Sequence, residues 1–334
     1  MALRLAIFGA TGMVGRELIK VLHKREFPFD SLRVFASERS AGKQLETPWG
    51  VKTIELADTA DFTEFDLAYF AIGGGWPKKF APLAMQAGCT VIDNSSTFRY
   101  DDSVPLVIPE INADAIGDSK LIANPNCTTA IAAIPLWHLH NRYGLQKVII
   151  STYQATSGAG NGGMAELEQE TRRALAGEEP ECAVFKYPIA FNLIPHIDSF
   201  QDNQYTREEM KVVWETGKIF ADTTIPISCT CVRIPTMRAH AESIVVETRD
   251  PVDPAEIREL FGKVSGLVVK DDVDNFVYPM PLTASEQFDV EVGRIRRNLI
   301  FGDHGLEFFV CGDQILKGAA LNAIQIGEAV LNKG

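Results

Sequence analysis

The sequence predicts an α/β protein, a doubly wound parallel-sheet domain followed by a second domain of α+β type, and three observations lead there. First, the apolar run Leu3 to Phe8 breaks into Gly9-Ala10-Thr11-Gly12-Met13-Val14-Gly15 and then into helical periodicity over Glu17 to Leu22, which reads as strand, glycine turn, helix. Second, short buried strands keep alternating with helical segments: Leu32 to Ala36, Leu67 to Ile72 and Thr90 to Ile92 each end at loop residues, the last at Asp93-Asn94-Ser95-Ser96. Third, the texture changes after Cys127. Val148 to Gln154, Ile227 to Ile234, Ser243 to Thr248 and Leu306 to Cys311 read as longer strands, separated by polar helices such as Met164 to Leu175 and Arg207 to Phe220. The last segment, Ile315 to Leu331, has small and apolar residues at helical spacing and is expected to pack back on the first domain. The expected division is residues 1–127 with 313–334, and residues 128–312.

Composition narrows the function. The chain of 334 residues is long enough for two domains, and its formal charge of -12 argues against a nucleic-acid or acidic-membrane partner, either of which demands a basic field. Any anionic ligand must therefore meet a local cluster of Arg and Lys. The apolar N-terminal run is too short for a signal segment and no stretch is long enough to span a bilayer, so the cytoplasm is the expected location. Six cysteines, Cys89, Cys127, Cys182, Cys229, Cys231 and Cys311, are scattered without Cys-x-x-Cys spacing or neighbouring His, so neither a metal site nor a disulfide framework is expected.

A glycine turn between a first strand and its helix lets backbone N–H groups approach a pyrophosphate, with the helix N-terminus adding partial positive charge. Here the glycines fall at 9, 12 and 15, not at the tighter spacing of the dinucleotide fingerprint, and a βα turn that merely needs small residues reads the same way. The second strand ends at Ser37-Glu38-Arg39-Ser40-Ala41-Gly42-Lys43. An acid there pairs with a ribose 2'-hydroxyl and favours NAD; Arg and Ser pair with a 2'-phosphate and favour NADP. Glu38 and Arg39 disagree, and Arg39, flanked by the hydroxyls of Ser37 and Ser40, tips the reading to NADP.

The run Ile122-Ala123-Asn124-Pro125-Asn126-Cys127-Thr128-Thr129 places a cysteine at a helix start, with Asn126 as the N-cap. A thiol in a first turn has its thiolate stabilised by the helix dipole, so Cys127 is a candidate nucleophile; a small buried apolar residue is the competing reading. Pro135 inside the same helix predicts a kink or a short first turn.

Asn124 to Thr128 resembles the active-site motif of aspartate-semialdehyde dehydrogenases, and the likeness continues through Gly9 to Gly15, Ile92 to Arg99, Ser151 to Gly160, Arg207 to Lys211, Arg233 to Glu242 and Asp313 to Gln325, in order over nearly the whole chain. The resemblance implies a Rossmann-type nucleotide-binding domain, an α+β domain for catalysis and dimerisation, and a homodimer or a pair of dimers. It implies NADPH-dependent reductive dephosphorylation of L-aspartyl-4-phosphate to L-aspartate-4-semialdehyde through a cysteine thioester, a step of lysine, threonine, methionine and isoleucine synthesis. By position it makes Cys127 the nucleophile, His240 the acid/base and Gln154 the amide that orients the substrate carbonyl. Arg233 matches the arginine forked onto the α-carboxylate, Glu208 the residue for the amine, and Lys211, Arg99 and Asn126 those near the phosphate. Cofactor contacts fall at Gly9, Thr11, Gly12, Met13, Val14, Ser37, Arg39, Ser40, Ser157, Gly158 and Gln314.

Three features depart from the family pattern. Gln314 stands where the family usually has Asn, and His196 and the loop Gly73-Gly74-Gly75-Trp76 differ locally. Arg233 and His240 are an odd number of residues apart, which on one regular strand points them to opposite faces; Pro235 interrupts the run between them. The nearest rival is N-acetyl-γ-glutamyl-phosphate reductase, whose substrate amine is capped and leaves the Glu208 position without a cationic partner. Glyceraldehyde-3-phosphate dehydrogenase shares the chemistry, but its surrounding motifs are absent. A catalytically silent NADP-binding dimer would be expected to lack the nucleophile or its histidine, and both are present.

Overall fold

The structure, a computed structural model, describes residues 3–332. The chain divides into two units, Met1–Asn126 with Ala319–Gly334, and Cys127–Gly318.

The first unit is built on β1 (Arg4–Phe8), which feeds through the glycine turn into α1 (Met13–Lys24) and returns as β2 (Ser31–Ala36). A small antiparallel hairpin, β3 (Gln44–Thr47) and β4 (Gly50–Thr53), precedes β5 (Glu55–Leu56), β6 (Leu67–Phe70), α2 (Trp76–Gln86), β7 (Thr90–Asp93), α3 (Pro109–Asn112) and β8 (Leu121–Ala123). The sheet runs β5-β2-β1-β6-β7-β8 with every pairing parallel. This is the Rossmann order, and the strand sequence reverses between β1 and β6, where α/β sheets bind their ligands. Leu5, Ala6, Ile7 and Phe8 are all buried, as expected of a parallel strand covered on both faces. Beside the Phe8 ring lie Phe35, stacked at 4.5 Å between centroids, and Trp76 at 5.1 Å.

The second unit opens with α4 (Cys127–Tyr143), then β9 (Leu145–Gln154), α5 (Gly160–Ala176) and α6 (Arg207–Phe220). Next come β10 (Ile227–Arg233), β11 (His240–Thr248), α7 (Pro254–Phe261), β12 (Leu267–Val269), α8 (Pro281–Ala284), β13 (Val290–Arg297) and β14 (Gly305–Gly312). The mixed sheet runs β10-β9-β11-β14-β13-β12. Alternation sets its faces: Val148, Ile150, Thr152 and Gln154 of β9 are buried, while Ile149 between them is exposed. The helices α4, α6 and α7 pack on this sheet. α4 does not stop after a short first turn but continues for 17 residues with Pro135 inside it. Its residues from Thr128 to Leu136 are all buried, so tertiary packing carries the turn that has lost a hydrogen bond.

From β14 the chain leaves the second unit through a π-helical turn, Leu316–Ala320, and ends in α9 (Leu321–Leu331). Within the first unit α9 is tied down by a paired contact of Glu328 with Arg25 at 2.6 and 2.7 Å. Asn322 donates to Val107 O at 2.9 Å and to Asn124 Oδ1 at 2.6 Å. Among the described residues no helix is long and apolar enough to cross a membrane.

Candidate active site

Three strand ends assemble the core of the site. The register of β10 on β9 sets Arg233 beside Gln154, and that of β11 on β9 sets Ala241 beside Tyr153, which puts His240 at the level of Gln154 on the other side. Arg233, Gln154 and His240 therefore stand in a row, 6%, 1% and 0% exposed. Arg233 and His240 share a face despite their odd spacing because they lie on different strands, β10 and β11. β10 stops at Arg233, and the intervening loop ends in Ala239 at φ +66, a left-handed conformation that restarts the alternation.

That row closes on a glycine. A Cβ at Gly158, in the turn after β9, would lie 2.6 Å from Arg233 Nη1 and 3.4 Å from both Cε1 and Nε2 of His240. Guanidinium and imidazole thus border the same patch of backbone, which is open only because residue 158 has no side chain. Arg233 Nη1 also donates to Ala155 O at 2.5 Å.

Cys127 is the first residue of α4 and is partly exposed; no acid occupies the first turn of that helix, where it would oppose a thiolate. A thiolate there lies close enough to Arg233 to favour the charged guanidinium. Burial lowers the Arg233 pKa, with Glu208 and Cys127 opposing the shift.

His240 accepts a hydrogen bond from Ala155 N–H at Nδ1, 3.0 Å long, which leaves the proton of the neutral ring on Nε2. Nε2 itself is buried without a partner. Burial, and then the charge of Arg233, push the His240 pKa down to about 3, so the ring is neutral at physiological pH. The site thus presents a buried N–H donor that has no partner among the described residues.

Gln154 is bracketed: Oε1 accepts from Thr152 Oγ1 at 2.9 Å and Nε2 donates to Glu208 Oε1 at 3.1 Å. Glu208 pairs in turn with Lys211, one turn along α6, at 2.8 Å, and Lys211 with Asp198 at 2.9 Å. Burial opposes the charge on Lys211, but the two carboxylates outweigh it and raise its pKa. Asp198 escaped the sequence reading because a loop carboxylate carries no positional signal. Another omission, Glu209, had one. Thr206 and Glu209 form a capping box, in which Glu209 accepts from Thr206 N–H at 2.6 Å, and the other carboxylate oxygen accepts from Cys231 N–H of the outer strand β10 at 3.0 Å. This carboxylate pins the start of α6, and with it Glu208 and Lys211, to the strand that ends in Arg233.

Gln314, 4% exposed, lies in the second unit with both ends of its amide engaged: Oε1 accepts from Ala239 N–H at 2.7 Å and Nε2 donates to Ser157 Oγ.

The remaining residues lie in the first unit. Gly9 has φ +89, and a Cβ on it would lie 2.4 Å from Ala71 O, just past β6; one on Gly15 would lie 2.2 Å from Gly9 O. The turn is therefore as tight as dinucleotide binding requires. Gly12 is the N-cap of α1 with no side-chain cap, no acid sits in the first turn, and Thr11, Met13 and Val14 are partly exposed. Uncapped N–H groups at the switch point fit a pyrophosphate. Ser37, Glu38 and Arg39 are exposed beyond β2, Ser40 is partly buried, and among the described residues Arg39 makes no ion pair.

Arg99, 7% exposed, donates from Nε to Asn124 O at 2.8 Å and from Nη2 to Asn94 O at 3.0 Å. Asn124 Nδ2 bonds Asn94 Oδ1 at 2.8 Å and Ala319 O at 3.0 Å, so the loop up to the buried Asn126 is held by side-chain amides. Among the described residues no group of three His, Cys, Asp or Glu could hold a metal ion.

Residues 4–119 match the family model of the semialdehyde dehydrogenase NAD binding domain, and residues 136–317 that of the semialdehyde dehydrogenase dimerisation domain. The chain is 44% identical to the aspartate-semialdehyde dehydrogenase of Aquifex aeolicus, over 100% of this chain and 99% of that one. It is 43% identical to that of Synechocystis, over 99% and 98%. Among solved structures, aspartate semialdehyde dehydrogenase II of Vibrio cholerae complexed with ASA superposes with a TM-score of 0.96 at 40% identity, covering 99% of both chains. With the fold, the order of the motifs and full-length similarity in agreement, the chain belongs to the aspartate-semialdehyde dehydrogenase family.

Proposed function

We propose that this chain reduces L-aspartyl-4-phosphate to L-aspartate-4-semialdehyde with NADPH, using Cys127 as a covalent nucleophile. The observation that carries the reading is the convergence of strand ends on Gly158: Arg233 and the Nε2 edge of His240 flank one small opening, with Gln154 between them and the Cys127 sulfur near enough to act on Arg233.

The Cys127 thiolate attacks the acyl carbon, and the carbon–oxygen bond to phosphate breaks, leaving a thioester on Sγ. When bound, the reduced cofactor supplies the hydride that turns this thioester into a thiohemiacetal. His240 Nε2–H donates to the carbonyl oxygen as it gains negative charge; collapse to the aldehyde then restores the thiolate. The depressed pKa of His240 suits this role, because a neutral ring keeps its donor without adding a fixed charge. Gln154 orients the carbonyl. Arg233 takes the α-carboxylate, Glu208 the amine, and Lys211 with Arg99 and Asn126 the phosphate. Glu208 and Lys211 sit as a ready-made ion pair, which substrate divides between its own amine and phosphate.

On the nucleotide side, Gly9, Thr11, Gly12, Met13 and Val14 meet the pyrophosphate, Ser37, Arg39 and Ser40 the 2'-phosphate, and Ser157, Gly158 and Gln314 the nicotinamide. Arg39 supports NADP over NAD because it is exposed and makes no ion pair among the described residues, whereas a buried or paired arginine would be unavailable to a phosphate. The first unit serves as the NADP-binding domain and the second as the catalytic domain, which also makes the homodimer or dimer of dimers. The protein acts in the cytoplasm.

The test runs the reaction backwards. Semialdehyde, phosphate and NADP should give NADPH, with little product when NAD replaces NADP and none with the Cys127→Ala variant. Turnover of N-acetylglutamate semialdehyde in place of aspartate semialdehyde, or equal use of NAD, would overturn the substrate or the cofactor assignment respectively.

A further inference from the structure

The turn that carries the chain out of the second unit passes directly behind the nucleophile. Gly318 N–H donates to Asp313 O at 3.2 Å, five residues back, which opens the π-helical turn Leu316–Ala320. That wide turn brings Gly318 onto Cys127: a Cβ at position 318 would lie 2.6 Å from Cys127 Cβ, 2.9 Å from its Cα and 3.4 Å from its carbonyl oxygen. Two of these are backbone atoms at the start of a buried helix, and Cβ is fixed to them, so no rotation of a flexible side chain relieves the overlap.

The same segment is anchored at its other end. Asp313 Oδ1 accepts from Ile315 N–H at 2.9 Å and from Leu316 N–H at 3.2 Å. Its other oxygen takes Arg238 Nε at 2.5 Å and Glu286 N–H at 2.6 Å. Between the anchors, Gln314 holds Ala239, the left-handed residue before His240, and the Ser157 hydroxyl beside Gly158. One short stretch, Asp313 to Gly318, therefore touches the backbone under the nucleophile, the residue that aims the acid/base and the turn that Arg233 and His240 border.

We propose that Gly318 is a positioning residue for Cys127: its missing side chain lets the π-turn seat against the first residue of α4 and so sets where the sulfur stands. This rests on the reading of Cys127 as the nucleophile, and the Cys127→Ala assay above tests that reading separately. The perturbation is Gly318→Ala. Displacing a reacting atom by about 1 Å costs on the order of 100-fold in rate. Gly318→Ala should therefore lower kcat for semialdehyde oxidation by about that factor, leave KM for semialdehyde within about 2-fold, and change the pH profile of Cys127 alkylation by iodoacetamide. Wild-type kcat would overturn the proposal, and so would a loss of activity with an unchanged alkylation profile. If Gly318→Ala does not fold, Asp313→Asn decides, because it loosens the same turn by removing an acceptor without adding a heavy atom beside Cys127. It should lower kcat and alter the alkylation profile of Cys127, and wild-type values of both would overturn the proposal.

Discussion

Replacing Glu209 by alanine tests whether the substrate-binding face of α6 is held by one buried carboxylate. Glu209 is 7% exposed and accepts two backbone N–H groups, Thr206 at 2.6 Å within the helix cap and Cys231 at 3.0 Å on the outer strand. Alanine strands both donors away from water, at about 1–3 kcal/mol each, and also removes half of the capping box. A total of about 3–5 kcal/mol is a large share of the roughly 5–15 kcal/mol that holds a typical protein folded. Because Glu208 and Lys211 ride on the same turn, the KM for semialdehyde should rise more than kcat falls. Glutamine, which keeps one acceptor, should give an intermediate loss. Urea unfolding and steady-state kinetics on the three proteins read both effects. A stability loss under about 1 kcal/mol would refute the reasoning, as would a destabilised Glu209→Ala variant whose KM matches wild type.

Glu242 lies two residues along β11 from His240, fully buried, with neither carboxylate oxygen hydrogen-bonded among the described residues, and burial raises its pKa well above the usual range. It is therefore protonated in the native protein and ionised when unfolded: the stability it allows is complete below about pH 4.5 and declines as pH rises toward the folded pKa, by about 1.4 kcal/mol per unit. Glu242→Gln should remove that decline above about pH 4.5, and identical pH–stability curves for the two proteins would exclude a raised pKa in the native state. Arg233→Lys replaces a planar fork by a point charge and should raise KM for semialdehyde about 30-fold, equivalent to about 2 kcal/mol; an unchanged KM would remove Arg233 from the carboxylate site. Arg39→Ala should raise KM for NADP at least about 10-fold and leave NAD use unaffected, and parallel loss of both cofactors would refute a contact to the 2'-phosphate.

The parts of the fold legible in the sequence are those where local and tertiary preferences agree. α6 begins and ends at Arg207 and Phe220 as expected, because Thr206 caps it and its apolar residues keep one face. β13 was invisible: Glu291, Gly293, Arg294, Arg296 and Arg297 break its hydrophobic pattern, and buried Glu291 is tolerated because Lys270 pairs with one of its oxygens at 2.5 Å and the Thr283 hydroxyl donates to the other at 2.7 Å. β8 went unseen because three residues leave no periodicity to read. The strand expected from Ser243 starts three residues earlier, at His240, since a histidine and an acid at its head mask its start. The expected C-terminal helix from Ile315 opens instead as a π-turn that seats Gly318 against Cys127, a contact between residues far apart in sequence. Site chemistry follows the same division: the Glu208–Lys211 pair was readable at helical spacing, but Asp198, the Glu209 clamp on β10 and the row of Arg233, Gln154 and His240 depend on strand order.

The central claim is that acyl transfer passes through the Cys127 sulfur. Incubating the protein with semialdehyde and NADP without phosphate, quenching in acid and mapping peptides by mass spectrometry tests it directly. Cys182, the exposed thiol, serves as the internal comparison, since Cys89, Cys229, Cys231 and Cys311 are buried. An aspartyl adduct confined to the Cys127 peptide, lost when phosphate is restored, is the predicted result. NADPH formation with no adduct, or with the adduct on Cys182, would contradict the account.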